Sequence, residues 1–246
     1  MASRIRFLND RFCVKGSTAR MAKKKSKAKR TTDTDSSLAF AMDQINPKIE
    51  RILSLELWSE EARQEHKEFV YRTLCELASE IEKVWNAAGD YPEGVISGNV
   101  WLTGTGYASH AKDLTKHFAK NGWLKNEANA SLLWVQATMA VCSHYHDLVG
   151  PAMNANADCH RRLGDIDRAV EMWTAVVKDF GFLLEGYDQD SDGPEDDARV
   201  AIESLRESCL ALQAEGKKTI DSFKLGKLVS KANDILSRPT PREDDE

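Results

Sequence analysis

The chain lacks paired cysteines. Cys13, Cys75, Cys142, Cys159 and Cys209 are odd in number, widely scattered and without a CxxC pair, which excludes a disulfide framework and a cysteine-built zinc site. A reducing, cytoplasmic setting is the expectation. Long apolar runs are also missing: the most apolar region, Leu132 to Cys142, is interrupted by Gln136 and Thr138 and falls far short of the roughly 20 residues a bilayer-spanning helix needs. There is no secretory apolar segment, and no GxSxG, P-loop or HExxH motif. No familiar catalytic motif and no cofactor is therefore expected, and an enzyme with an unfamiliar helical active site is a third alternative.

What is present is charge, unevenly placed. With 41% hydrophobic and 30% charged residues the composition is that of a globular chain with an adequate core. The net charge of −5 hides a split. Residues 1–30 carry eleven bases and one acid, giving +10; the remaining 23 bases and 38 acids give −15. Residues 1–35, with the run Met21 to Arg30, read as a disordered basic arm, and 239–246 as a disordered acidic tail. Met21 before the lysines is a possible natural start, and the arginine-rich opening gives an organelle transit peptide as a lesser alternative.

Between these ends, 36–238 reads as one helical domain. A helical pattern starts at Ser37 and runs to about Leu57, with a break expected at Pro47. Ser59 followed by Glu60 and Glu61 starts a second helix, whose stripe Val70, Leu74, Leu77, Ile81, Val84 and Ala88 must be buried. Residues 89–108, rich in glycine, are expected to form a loop or short hairpin that could subdivide the domain. Further helices are expected from Ser109 to Asn121, from Glu127 to Val149 with Leu132, Val135, Met139, Cys142 and His146 on one side, through Ile202, Leu205, Cys209 and Leu212, and from Ile220 to Leu236. The fold class is all-α, antiparallel helical hairpins forming a bundle or a short repeat array.

The clearest local signal lies between Ala157 and Phe180. Ala169, Trp173, Val176, Phe180 and Leu184 recur at helical spacing, Met153, Ala157, His160 and Leu163 do so upstream, and Leu163-Gly164-Asp165 separates the two sets. Pro151 is placed in the first turn of the upstream helix. The pattern resembles a tetratricopeptide repeat over residues 150–183, with Ala157, Gly164, Ile166, Ala169 and Trp173 at the family's small, turn, hydrophobic, packing and aromatic positions. Met153, Asn156, His160, Val176 and Gly181 depart from the family's preferences, and no second copy follows at the expected offset. The resemblance implies that Asn154, Asp158, Arg161 and Arg162 face a ligand surface and that the chain is a scaffold for a protein partner.

Other candidate chemistry is weaker. Asp188, Asp190 and Asp192 with Gly193 begin a calcium loop, but Arg199 stands where its bidentate glutamate belongs, so no metal site is expected. Gly104, Gly106 and Ser109 mimic a nucleotide-binding turn without the second strand that such a turn requires. His144 and His146 diverge on a helix, while His110 and His117 could share a face but lack completing ligands. Lys112 to Asn126 is loosely like a helix-turn-helix. Together with Lys23, Lys24, Lys25, Lys27, Lys29 and Arg30 it supports an alternative role as a nucleic-acid accessory protein.

Overall fold

A computed structural model describes residues 31–88, 98–141, 146–175, 194–214 and 222–237. Among them every regular element is a helix: α1 (Thr31–Leu53), α2 (Glu60–Ala88), α3 (Gly98–Lys120), α4 (Leu124–Val141), α5 (His146–Arg162), α6 (166–175), α7 (Pro194–Ala214) and α8 (Ser222–Leu236). The all-α class follows from the sequence pattern. Ser59 caps α2 by accepting the Ala62 amide at 3.1 Å, with Glu60 and Glu61 in the first turn, where the helix dipole favours carboxylates. Val70, Leu74, Leu77, Ile81 and Val84 of the expected stripe are then buried, whereas Ala88 is half-buried and its neighbour Ala87 is buried instead.

Several boundaries differ from expectation, each for a local reason. α1 opens at Thr31 and continues through Pro47, because Ile45, Ile49 and Ile52 are all buried and bind both sides of the proline to one core. The ring removes one backbone donor without ending the helix. α3 starts at Gly98 rather than Ser109, so Gly104, Gly106 and Ser109 are helical and form no phosphate turn. Their glycines serve packing: a Cβ at Gly104 would overlap Val141 Cγ1 and press Val84 Cγ1 at 3.1 Å. This close approach fits α3 between α2 and α4. The helix expected from Glu127 to Val149 is divided into α4, ending at Val141, and α5, starting at His146; Pro151 lies within α5, beyond its first turn. Val135 is buried, whereas Leu132 and Met139 are half-buried.

From α1 to α6 each helix runs opposite to the one before it. Gly104 faces Val84 and Val141, Lys112 lies over Trp134 and Arg51 over Phe69, while α1 and α3 are parallel, with Asn46 Oδ1 2.8 Å from His110 Nε2. The α3–α4 turn uses Gly122 at φ 66°, and the Trp123 amide donates to Phe118 O at 2.9 Å, a left-handed helix stop. α4 is the most enclosed helix, burying Ala130, Leu133, Val135, Ala137 and Ala140 around much of its circumference. Among the helix pairs with described contacts, partners are one or two places apart in this order: α1 with α2 and α3, α2 with α3 and α4, α4 with α3 and α5, α5 with α7, and α7 with α8. The core is continuous from Ile45 to Ile235. Among the described residues, α1 and α8 are not one of the packed helix pairs.

Candidate functional site

The α5–α6 turn forms as its sequence requires. Gly164 adopts φ 82°, and the Asp165 amide donates to His160 O at 2.9 Å. Only glycine takes that conformation without a Cβ penalty. Ala157, Ala169 and Trp173 are fully buried between the helices. Val176, Phe180 and Leu184 lie outside the described residues.

The four expected ligand-facing residues occupy this end of α5 and are held by intramolecular bonds. Asn154 Oδ1 accepts the Trp173 indole N–H at 3.1 Å, which ties α5 to α6. Asp158 accepts from both arginines: Arg161 Nε and Nη2 reach its Oδ1 at 3.0 and 2.7 Å, and Arg162 Nε reaches its Oδ2 at 2.8 Å. Arg162 Nη2 also donates to Glu127 Oε1. Each guanidinium thereby keeps Nη1 without a hydrogen-bond partner among the described residues. The carboxylates fix the rotamers of both arginines, so their free edges are preorganised. Two carboxylates and two guanidiniums leave the cluster formally neutral. Next to them Leu163 is 46% exposed.

Beneath the rim lies a polar seam that the sequence did not disclose. Glu127 and Ser131 of α4 meet Asn156 and Cys159 of α5, and all four are buried. Asn156 Nδ2 donates to Ala128 O at 3.1 Å and Ser131 Oγ at 2.9 Å; the Cys159 thiol donates to Glu127 Oε1 at 3.4 Å. Burial, reinforced by Glu127, pushes the Cys159 thiol up to about 12. It stays protonated and is a structural donor, not a nucleophile. The available signal was the pairing of Glu127 with Ser131 at i, i+4 opposite Asn156 and Cys159 at i, i+3, since polar residues on facing buried sides must pair with each other.

The remaining candidates are dispersed. His110 pairs with Asn46, and His117 Nε2 lies 3.5 Å from Asn121 Nδ2; among the described residues no three His, Cys, Asp or Glu side chains are grouped to hold a metal. Lys112 to Asn126 spans the antiparallel α3–α4 joint, where Trp123 packs edge-on against Phe118 at 5.7 Å. Lys23, Lys24, Lys25, Lys27, Lys29 and Arg30, the Asp188, Asp190 and Asp192 group, and His144 lie outside the described residues. Among the described residues no helix is long and apolar enough to cross a membrane. No protein-family model, curated protein or solved structure matches the chain.

Proposed function

We propose that the protein is a non-enzymatic helical scaffold that holds a protein partner on the α5–α6 hairpin, in the manner of a tetratricopeptide-like unit. The observation that carries this reading is the packing order. The well-packed helix pairs described are one or two places apart, with α1 and α3 parallel and successive helices antiparallel from α1 to α6, as in arrays that expose a long side to partners. The rim of Asp158, Arg161 and Arg162 adds fixed polar edges, and exposed Leu163 adds an apolar anchor beside them. Preorganised arginines beside an apolar side chain are a common composition for a binding hot spot.

Affinity capture with the full chain tests the reading, using Arg161→Glu and Leu163→Asp together. Neither side chain supports the seam below, so circular dichroism should be unchanged. A partner held by the wild type should lose at least about tenfold in affinity, equivalent to about 1.4 kcal/mol. Recovery of the same proteins in equal amounts by both forms would remove this surface from consideration.

A further inference from the structure

We propose that the exposed face of α3 binds single-stranded nucleic acid, with phosphates on Lys112, Lys116 and Lys120 and a base stacked on Trp58. The three lysines are exposed and recur every four residues, so they climb α3 in steps of about 6 Å while turning gradually around it. The first, Lys112, has its Nζ 5.5 Å from the ring centre of Trp134 on α4; the last, Lys120, has its Nζ 5.8 Å from that of Trp58 in the α1–α2 turn. The row therefore crosses the open side of α3 from one aromatic ring to another. Among the described residues none of the three lysines forms an ion pair, so no bound carboxylate neutralises them. Their step exceeds the axial rise of about 3.4 Å per phosphate on each strand of a duplex and suits an extended single strand.

Trp58 is 59% exposed, yet its backbone is fixed. Its carbonyl accepts Arg63 Nη2 at 3.2 Å, and its neighbour Leu57, fully buried, donates its amide to Asn121 Oδ1 at 3.0 Å. A large ring held open at a set place is a stacking platform, because every base offers a π-face. Carboxylates also lie near the row. Asp113 and Glu50 stand on its α1 side, where both act on His110. Glu60 is 3.7 Å from Arg63 Nη1, Glu61 is bonded to Ser59, and Glu127, the acid of α4, is buried and bonded to Arg162. Asp113, Glu50 and the exposed Glu56 remain to oppose a phosphate, and Asp113, three residues before Lys116, shares the face of α3 with the row. A bilayer is disfavoured, since the exposed Glu56, Glu60 and Glu61 adjoin the ring along the chain and would enter the headgroups with it. The row uses no residue of the partner surface on α5.

Fluorescence anisotropy of the full chain with a labelled oligothymidine tests the proposal. The wild type is compared with a background in which Lys23, Lys24, Lys25, Lys27, Lys29 and Arg30 are changed to Gln, so that any attraction of these bases for phosphate is removed. In both, changing Lys112, Lys116 and Lys120 to Gln should reduce the slope of log affinity against log salt by about 2, roughly 0.7 for each lysine. Trp58→Ala should weaken binding about tenfold, and Trp58→Phe should retain most of it. Asp113→Asn should tighten binding. All these variants should keep wild-type helix content because the side chains are exposed. An abasic strand of equal length should keep the lysine dependence and lose the effect of Trp58→Ala. Absence of low-salt binding in the Gln background, or a salt slope unchanged by the three lysine changes, overturns the proposal; so does equal affinity for the abasic strand and oligothymidine, which would assign the row to polyanions without bases.

Discussion

At the residue scale, a few side chains set the geometry of the joints. Arg63 donates to Leu57 O at 2.8 Å, Trp58 O at 3.2 Å and Asn121 O at 2.5 Å, while Asn121 Oδ1 accepts the Leu57 amide at 3.0 Å. One guanidinium thus joins the α1–α2 and α3–α4 turns. Arg63→Met should cost about 2–3 kcal/mol by leaving charge-assisted carbonyl bonds unmade, and Arg63→Lys should recover little because a point charge cannot span three acceptors. Urea denaturation measures both. Two glycines make a paired test. Gly104→Ala should cost about 1–3 kcal/mol through overlap with Val141, whereas Gly226→Ala, whose Cβ would meet only Gln213 at 3.9 Å, should gain about 0.5–1 kcal/mol. Protonation acts through His110 and His117, whose pKa values burial lowers; Asp113 and Glu50 oppose the shift at His110, and Lys120 adds to it at His117. The unfolded chain takes up these protons near pH 6.5 and the folded chain only at lower pH. Stability should therefore be complete above about pH 6.5 and fall as pH drops from there towards the folded values. His110→Gln with His117→Asn should flatten that slope; an unchanged slope would assign it to other groups.

At the scale of elements, the α4–α5 seam joins the first four helices to the hairpin. Arg162→Ala should cost about 2–3 kcal/mol, below the range for a fully buried pair because the arginine is one-third exposed, while Glu127, at 6% exposure, loses its cation. Asn154→Ala should cost about 1–2 kcal/mol by leaving the Trp173 indole N–H without its acceptor. Thermal unfolding of the two variants measures both effects. The legibility of these elements varied with the kind of signal. The α2 stripe, the Leu163-Gly164-Asp165 turn and the buried Ile202, Leu205, Cys209 and Leu212 set were readable because each lies within one helix, where periodicity reports burial directly. The start of α3 was not readable, since glycines that break a helix locally are the residues that let α3 approach Val141. The division of α4 from α5 was hidden by a continuous apolar pattern. Glu127 escaped notice as part of the candidate site because its partners, Cys159 and Arg162, lie more than thirty residues away, and a single sequence carries no long-range pairing rule of that kind.

At the scale of the whole molecule, packing between near neighbours makes stability local. α4 is covered by α2, α3 and α5, whereas among the described residues the helix well packed on α8 is α7. In such an array each helix opens at a free energy set by the interfaces it must break, so the end unit opens before the centre. Leu225, Leu228, Ala232 and Ile235 are all buried, and among the described residues α7 is the helix packed against them. Hydrogen exchange on the full chain should show the α8 amides exchanging through partial opening, with protection rising through α7 and reaching its maximum in α3 and α4. Arg162→Ala, which loosens the seam on which α5 rests, should speed exchange in α5, α7 and α8 more than in α1 and α2. If α8 amides exchanged only by global unfolding, at the same rate as those of α4, the chain would be a single cooperative bundle, and the exposed-array basis for the scaffold reading would be lost with it.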